Sequence, residues 1–490
     1  MAACSIENIP SPRLSAEVFS IPLGEDRYLI YAPLRRAAFV GNASTVNFLA
    51  ALKENRYNKS DDPDGSLVEF LRRLEIVDAG AEIQPIFACT GIPEPVGLTL
   101  FLTTDCNMRC TYCYASAGDA PKKSMPLHVA KRGIDFIISN AIRKKEPRIG
   151  LEFHGGGEPT MNWRTMTEAL AYARERCRTA GLEVASHSAT NGKLNDRQID
   201  WIIANLQGAS VSFDGLPEIH DTYRKTVSGK GTSEQVMHTL RRFDEAGFAY
   251  GIRVTVTADM ISKMADSVDF ICTHFRTPNI QVEPAYLIGR WKEAPAAETQ
   301  EFIEYYRAAH ARARKYGRNI FFSAARAGML TNHFCSVSRD SFALSPDGTV
   351  SSCFEAFSEQ QPLADIFFYG KPADGQPDGY QFDMERVQHL RNQSVEKRAH
   401  CSGCFAKWSC AGDCYYKAML VNNGTRDTEF TGTDRCHITR ELTVDQILER
   451  ITDAGGLFWH EMPEEIVEKV RNENIRPATF NLDMEIEHKN

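Results

Sequence analysis

The sequence predicts an α/β fold with a parallel sheet, because strand-like and helix-like patterns alternate between residues 96 and 290. The helical pattern is clear in Pro126 to Ile142, whose apolar residues recur at helical spacing. Repeated strand-helix units form parallel sheets with crossover helices. The six predicted strands are Val96 to Thr103, Ile149 to His154, Leu182 to Thr190, Ala209 to Asp214, Tyr250 to Thr257 and Ile280 to Tyr286.

The segment before this region predicts a small N-terminal α+β domain, residues 1–95. Arg27 to Asn42 has the pattern of a hairpin, and a helix is expected near Ser44 to Asn55. A second helix is expected to begin with the capping box Ser66-Leu-Val-Glu69. Its apolar face is Leu67, Phe70, Leu71 and Leu74.

Three cysteines follow the first strand of the predicted sheet, in the spacing C-x3-C-x2-C, at Cys106, Cys110 and Cys113. A structural zinc site takes four ligands, and the bacterial ferredoxin run has shorter gaps, so neither pattern fits. The run, with Tyr112 before the last cysteine, resembles the radical S-adenosylmethionine (SAM) enzymes. The resemblance implies a 4Fe-4S cluster whose fourth iron binds SAM. An ordinary zinc or redox loop is the alternative.

A glycine-rich turn follows the second predicted strand, at Gly155-Gly-Gly-Glu-Pro159. Glycines let a backbone approach closely, and a carboxylate there can accept a hydrogen bond from an ammonium group. The same family carries Gly-Gly-Glu-Pro at this place. The resemblance therefore implies that Gly156, Gly157 and Glu158 bind the methionine end of SAM, within a partial six-stranded TIM-type (β/α)6 barrel.

Polar residues at the ends of the later strands are further candidates, because chemistry in such barrels lies at the C-terminal strand ends. Ser212 and Asp214 resemble the strand-four turn of the family and Arg253 could pair with the SAM carboxylate, while Asn191 follows strand three. The alternative is that these residues shape turns and satisfy barrel carboxylates. His154 is expected to be a hydrogen-bonded core histidine rather than a catalyst.

Seven cysteines in the C-terminal third form the ordered pattern C-x12-G-x4-C, gap, C-x2-C-x5-C-x3-C, gap, C. This pattern resembles the SPASM extension, which implies two auxiliary 4Fe-4S clusters; without the upstream motifs a zinc ribbon would be a competing reading. Position by position, the first cluster takes Cys335, Cys353 and Cys414, and the second takes Cys401, Cys404, Cys410 and Cys436.

The first auxiliary cluster lacks one cysteine by this assignment. Some relatives have an eighth cysteine where this chain has Met329. The cysteine pattern is compatible with an open iron, a non-cysteine ligand or a substrate ligand.

The composition of the chain limits the kinds of partner and cellular location that we expect for it. The net charge of −8 disfavours nucleic acid, and no signal peptide or long apolar run indicates a membrane, so a cytoplasmic protein is expected. Fourteen cysteines in such a chain indicate metal ligation rather than disulfides. The domains expected after the N-terminal one are a barrel over 96–290, bridging helices over 291–330, a SPASM domain over 331–450, and a helix and tail over 451–490.

The resemblance implies a maturase that cleaves SAM to a 5'-deoxyadenosyl radical and abstracts hydrogen from a precursor peptide or protein, installing an oxidative modification or crosslink. A flavodoxin or ferredoxin would supply electrons. An anaerobic sulfatase maturase is the alternative, but those relatives have an aspartate base where this chain has Phe354; Glu355 is the candidate catalytic substitute. A non-catalytic iron-sulfur electron carrier is the alternative from another class.

The N-terminal domain resembles the winged domain that captures leader peptides, and a plain structural cap is the other possibility.

Overall fold

The computed structural model describes residues 11–294, 298–373, 375, 379–421 and 434–461. These residues form a four-stranded sheet and an eleven-stranded sheet. Within these ranges, no helix combines the length and the apolar character needed to cross a membrane.

The N-terminal sheet begins with three antiparallel strands and is covered by two helices. The hairpin predicted over Arg27 to Asn42 is confirmed, with Tyr28 opposite Gly41 and Ala32 opposite Ala37. The first strand was not predicted, because it contains Pro22, a residue that is rare within strands. The elements are β1 (Phe19–Gly24), β2 (Arg27–Ala32), β3 (Ala37–Gly41), α1 (Ala43–Lys53) and α2 (Ser66–Arg73).

The predicted capping box at the start of α2 is wrong. Ser66 is the first helical residue, and Gly65 occupies the cap position in the left-handed region. The free N–H groups are satisfied instead by Asp62, whose carboxylate accepts from Leu67 N at 3.2 Å and Val68 N at 2.9 Å. The predicted apolar face of this helix is buried in the N-terminal core.

Six parallel strands form the centre of the large sheet, in chain order from one neighbour to the next. They coincide within a few residues with the predicted strands, because buried parallel strands have a strong apolar signal. The strands are β4 (Gly97–Leu100), β5 (Arg148–Phe153), β6 (Glu183–Thr190), β7 (Gly208–Ser212), β8 (Tyr250–Val256) and β9 (Asn279–Pro284). The helices between them are α3 (Leu127–Lys144), α4 (Trp163–Ala180), α5 (Asp196–Asn205), α6 (Pro217–Tyr223), α7 (Ser233–Glu245) and α8 (Met264–His274).

The segment over 291–330 differs from the predicted bridging helices. It contains one long helix, α9 (Thr299–Lys315), and then a strand, β10 (Asn319–Phe321). This strand pairs in parallel with β9, so it adds a seventh parallel strand to the sheet. The strand is three residues long, which is too short for a reliable alternation signal.

The cysteine-rich extension continues the same sheet from its other edge. Its first strand pairs in parallel with β4, so the extension is attached beside the barrel's first strand. A turn over Ser345–Gly348 joins its first two strands. The elements are β11 (Ala343–Leu344), β12 (Val350–Ser351), α10 (Ala364–Phe367), β13 (Phe368–Pro372), β14 (Tyr380–Phe382), α11 (Met384–Arg391), α12 (Lys407–Cys410) and α13 (Tyr415–Val421).

The C-terminal part of the described chain returns to the N-terminal sheet. Helix α14 (Asp434–Asp453) is followed by β15 (Phe458–His460), which pairs antiparallel with β3. Trp459 packs in one apolar cluster with Leu29 and Tyr31. The helix and tail predicted over 451–490 are therefore, as far as 461, a helix end and a strand; the rest lies outside the described residues.

Candidate functional site

The loop that carries the first three cysteines follows β4 and is held by one arginine. The Arg109 backbone N–H donates to Lys225 O at 2.6 Å, which ties the loop to the segment after α6. Its guanidinium donates to Cys106 O at 2.7 Å and to Gly118 O at 3.1 Å. These bonds fix the loop across the C-terminal ends of the strands.

The three thiols of this loop share one cavity of about 540 Å³. Burial raises the pKa of Cys106 to about 12, with further increases from the Glu158 carboxylate and from Cys110 and Cys113. The thiols are thus near enough to repel one another when charged. A thiol with a raised pKa stays protonated at neutral pH and becomes a thiolate when it binds a metal, which displaces the proton. This behaviour is typical of a cysteine that binds an iron-sulfur cluster.

The glycine-rich turn packs directly on the cysteine loop. The Gly157 N–H donates to Thr103 O at 2.8 Å, and the Glu158 N–H donates to Asp105 O at 2.9 Å. A Cβ at Gly157 would lie 2.0 Å from Asp105 O. The glycine is therefore required by the contact between the two loops, whereas the sequence suggested an approach to a ligand.

Glu158 lies at the cavity wall with 3% of its surface exposed. Its carboxylate accepts from Thr160 Oγ1 at 2.9 Å, from Thr190 Oγ1 at 2.9 Å and from Asn191 N at 2.8 Å. Burial raises its pKa, while these donors act in the opposite direction. A preorganised acceptor of this kind suits an ammonium group.

Asn191 also lines the cavity, and its side chain reaches back to the cysteine loop. Its amide nitrogen donates to Asn107 Oδ1 at 2.8 Å and contacts Cys106 Sγ at 3.5 Å. Its own amide oxygen accepts from Lys193 N at 2.9 Å. The structure thus brings Asn191 to a cluster cysteine as well as to the cavity.

Tyr112 and Asp214 are brought together behind the cavity. The Tyr112 hydroxyl donates to Asp214, which has no exposed surface and also accepts from Thr255 N at 3.1 Å. Arg224 completes the group: its Nε lies 3.3 Å from Asp214 Oδ2 and its Nη1 lies 3.7 Å from Cys110 Sγ. Tyr112 reaches the cavity, but Asp214 does not, which differs from its predicted cofactor contact.

Ser212 and Arg253 are neighbours on adjacent strands, paired in register between β7 and β8. Both side chains line the cavity. Across the described residues, neither the Ser212 hydroxyl nor the Arg253 guanidinium has a hydrogen bond or ion pair within the protein. The charge of Arg253 contributes to lowering the pKa of the buried Glu283 carboxylate at the end of β9, so the predicted alternative, an arginine that serves barrel carboxylates, stays open.

His154 differs from the predicted hydrogen-bonded core histidine. It lines the cavity, and its Nδ1 is buried without a partner among the described residues. Its ring packs against Phe354, with 4.8 Å between the ring centroids. Burial lowers its pKa to about 4, helped by the positive charge of Arg253. The imidazole is therefore neutral near pH 7.

Cys335, Cys353 and Cys414 form one group in the extension. Burial raises the pKa of Cys353, and Glu355, Cys414 and Cys335 raise it further. Burial likewise raises the pKa of Cys414, again with contributions from Glu355 and Cys335. The structure thus gathers the same three cysteines that the sequence assigned to the first auxiliary cluster.

Cys401, Cys404, Cys410 and Cys436 form the second group and line one small cavity. Burial raises the pKa of Cys401 to about 11, and Cys404 and Cys436 contribute to the increase. Within the described ranges, no group of three or more His, Cys, Asp or Glu side chains has the geometry to hold a single metal ion. A cubane takes one protein ligand per iron, so its thiols need not converge on one point.

Glu355 and Lys417 reach the cavity from the extension. Lys417 Nζ lies 3.4 Å from Glu355 Oε1 and 3.8 Å from the centre of the Tyr286 ring. The sequence predicted Glu355 but missed Lys417 and Arg224. The one available signal for Lys417 was its place a helical turn after Cys414.

Residues 100–271 match the Radical SAM superfamily, so the chain contains a radical SAM domain. Fe-coproporphyrin III synthase of Methanosarcina barkeri is 30% identical over 35% of this chain and 39% of that protein. Mycofactocin maturase MftC of Mycolicibacterium smegmatis is 24% identical over 66% of this chain and 79% of that protein. A cysteine-type anaerobic sulfatase-maturating enzyme of Clostridium novyi is 26% identical over 34% and 44%, respectively.

The chain thus spans between 39% and 57% of the length of the first three relatives that it matches. Among solved structures, native anSMEcpe with bound AdoMet superposes with a TM-score of 0.57 at 17% identity, over 73% of this chain and 98% of that one. This likeness shows a shared fold. It confirms the predicted radical SAM partial barrel as the architecture of the large sheet.

Proposed function

Because the chain contains a radical SAM domain, we propose that it cleaves SAM reductively and uses the product to abstract hydrogen from a peptide or protein substrate. The observation that carries the proposal is the shared cavity. It is lined by three thiols, by the preorganised acceptor Glu158 and by Arg253, whose guanidinium makes no hydrogen bond or close ion pair within the described chain. An amino-acid end group needs such an acceptor and such a cation.

The residues that line the cavity suit both a 4Fe-4S cluster and SAM. Cys106, Cys110 and Cys113 would hold a 4Fe-4S cluster, which when reduced would supply the electron that cleaves SAM to a 5'-deoxyadenosyl radical. Glu158 would accept from the SAM ammonium group and Arg253 would bind its carboxylate. Ser212 presents its hydroxyl on the same wall, which suits a ribose.

A peptide substrate is supported by two features. Relatives of this chain include proteins named mycofactocin maturase and sporulation killing factor maturation protein. The cavity also has walls from both the barrel and the extension, including Phe354, Glu355 and Lys417. A substrate side chain in this cavity would lie between the first three thiols and the Cys335 group, so that one electron could pass to a cluster held by the Cys335 group during an oxidation.

The sulfatase-maturase alternative lacks support at the residue after Cys353. Phe354 occupies that position and packs its ring against His154 and Phe101. An apolar ring cannot act as a base. The electron-carrier alternative does not account for the guanidinium of Arg253 in the cavity, since a carrier binds no amino-acid cofactor.

The N-terminal sheet is a candidate site for leader-peptide capture. The order of the described sheet is β1-β2-β3-β15, so its two edge strands are β1 and β15. The side of β3 that faces away from β2 is filled by β15 of the same chain, and we propose β1, in the N-terminal hairpin region, as the edge that accepts a leader peptide. Strand addition to a free edge is a common mode of peptide recognition. Capture by β1 is therefore part of the proposal.

The decisive experiment is SAM cleavage by anaerobically reconstituted protein with dithionite. The wild type should form 5'-deoxyadenosine, and Cys106→Ala, Cys110→Ala and Cys113→Ala should each abolish it. Cys177→Ala is the matched control, because this cysteine is 1% exposed in α4 within the hydrophobic core. Product formation by any of the three loop variants would overturn the proposal.

A further inference from the structure

Glu355 has a buried carboxylate oxygen without a partner. Its Oε2 makes no hydrogen bond to any described residue and has almost no exposed surface, whereas Oε1 pairs with Lys417 Nζ at 3.4 Å. A buried carboxylate oxygen without a hydrogen-bond partner is uncommon in folded proteins, because burial removes it from water without compensation. This oxygen therefore calls for a ligand or a metal.

The position of Glu355 is fixed by a tight turn. The Ala356 N–H donates to Cys353 O at 3.1 Å, and Ser351 Oγ bridges Cys353 O at 3.1 Å and Ala356 O at 2.6 Å. Glu355 lies inside this turn, two residues after Cys353. The turn thus holds the carboxylate beside the Cys335, Cys353 and Cys414 group.

The carboxylate is close to this group by chain position and by its ion pair: Glu355 lies two residues after Cys353, and its partner Lys417 lies three residues after Cys414. In addition to burial, the Glu355 carboxylate raises the pKa of Cys335, Cys353 and Cys414, so its charge acts on each of the three thiols. Under the proposed function, the common centre of these three thiols is the cluster that they would hold. Three thiols around that centre leave one iron of a cubane without a protein ligand.

We propose that Glu355 is the fourth protein ligand of the cluster held by Cys335, Cys353 and Cys414, binding one iron through Oε2. The proposal rests on the proposed function, which places a cluster there. Oε1 stays paired with Lys417, and this ammonium group fixes the carboxylate in a monodentate orientation, as outer partners of metal ligands do. In this arrangement Glu355 is a ligand rather than the catalytic base expected from the sequence.

Other candidates for the fourth position are excluded by their contacts. Met329, at the place of the eighth cysteine in some relatives, is 47% exposed and lines a separate cleft beside α14. Asp413 is adjacent to Cys414, but both its oxygens are bound by Arg435. Of the described carboxylates near the group, Glu355 is the one with an oxygen atom, Oε2, that makes no hydrogen bond or ion pair.

The test uses the full-length chain with Cys106→Ala, Cys110→Ala and Cys113→Ala combined, which removes the cluster with the SAM-binding iron. This background should retain about eight irons per chain, since two cubanes remain. Glu355→Gln and Glu355→Cys are then compared in it, with Glu152→Gln as a control from the cavity wall nearer the barrel. The readout is the electron paramagnetic resonance spectrum of the dithionite-reduced clusters, with and without cyanide.

Cyanide should leave the background spectrum unchanged, because every iron has a protein ligand. In Glu355→Gln, one of the two cluster signals should change on adding cyanide, whereas Glu152→Gln should behave as the background. Glu355→Cys should keep all the irons of the background and lose the cyanide response, with one signal shifted towards that of an all-cysteine cluster. This rescue separates ligation from a general packing effect.

Two results would overturn the inference. A cyanide-sensitive signal in the background itself would mean that the iron is open, and an unaltered signal in Glu355→Gln would mean that another group binds it. Either leaves the proposed function standing. Iron near zero in the background would instead remove the auxiliary clusters, and with them both this ligand assignment and that part of the proposed function.

Discussion

Arg435 of α14 binds both carboxylate oxygens of Asp413, at 2.7 and 2.9 Å, in a fully buried ion pair. The same guanidinium lies 3.2 Å from Glu283 Oε2 at the end of β9. The pair therefore links the barrel, the extension and the long C-terminal helix. It also lies between two predicted cluster cysteines, because Cys414 follows Asp413 and Cys436 follows Arg435.

Arg435→Met should destabilise the extension by about 3–5 kcal/mol, because it leaves two buried carboxylates without their cation. The measurement is the unfolding temperature under anaerobic conditions together with retained iron. Arg164→Met is the control: its side chain is 87% exposed and pairs with Glu168 within one helix. An unchanged unfolding temperature in Arg435→Met would show that the link is not structural.

Gly157→Ala should prevent assembly of the cavity. The added Cβ would meet Asp105 O at 2.0 Å, so the two loops would have to separate. We expect loss of SAM cleavage and a lower iron content. Gly97→Ala is the control, because no atom of the described residues lies within 4 Å of the Cβ there. Equal activity in both variants would show that the loop contact is dispensable.

Arg253→Ala should raise the KM for SAM about 10- to 100-fold, since charge-assisted hydrogen bonds contribute about 1.5–3 kcal/mol. Cluster content should stay normal, because within the described chain the guanidinium makes no hydrogen bond or ion pair that holds the cysteine loop. Arg276→Ala is the control, because this exposed arginine precedes β9 and does not line the cavity of the three thiols. A normal KM with reduced iron would assign Arg253 to structure instead.

His154 should make the protein less stable as the pH falls. Its folded pKa of about 4 lies below the ordinary 6.5, so the unfolded chain takes up the proton first. The stability due to neutral His154 is full above pH 6.5 and is lost as the pH falls towards 4. His154→Gln should therefore show a smaller drop in unfolding temperature than the wild type when the pH is lowered from about 7.5 to about 5.5. Equal drops would contradict this assignment.

Proline substitutions along β1 test peptide capture by this edge. Neighbouring residues of an edge strand point their N–H groups alternately towards the partner strand and away from it. Proline at the outward position should weaken binding of the precursor peptide without changing the unfolding temperature. Ser20→Pro and Ile21→Pro should thus differ, one losing affinity and the other losing stability. Deleting residues 1–90 is a poorer test, because it would expose Trp459 and the apolar face of α14.

Local signals in the sequence determined the six central strands, the hairpin and the two cysteine patterns. Buried parallel strands are continuous apolar runs, and cluster ligands on one loop have fixed spacings, so neighbours along the chain suffice to identify them. The seventh parallel strand, β10, and the strand β15 escaped prediction, because three-residue strands depend on their partners rather than on their own pattern.

The roles of single side chains were decided by the tertiary structure alone. The sequence identified Asp214, His154 and Glu355 but could not show which of these side chains has hydrogen-bond partners for its polar atoms. Thr255, which lies 41 positions further along the chain, donates to Asp214, while no residue of the described chain reaches His154 Nδ1 or Glu355 Oε2. Hydrogen bonds and burial of this kind arise only when distant segments meet, so no local pattern encodes them.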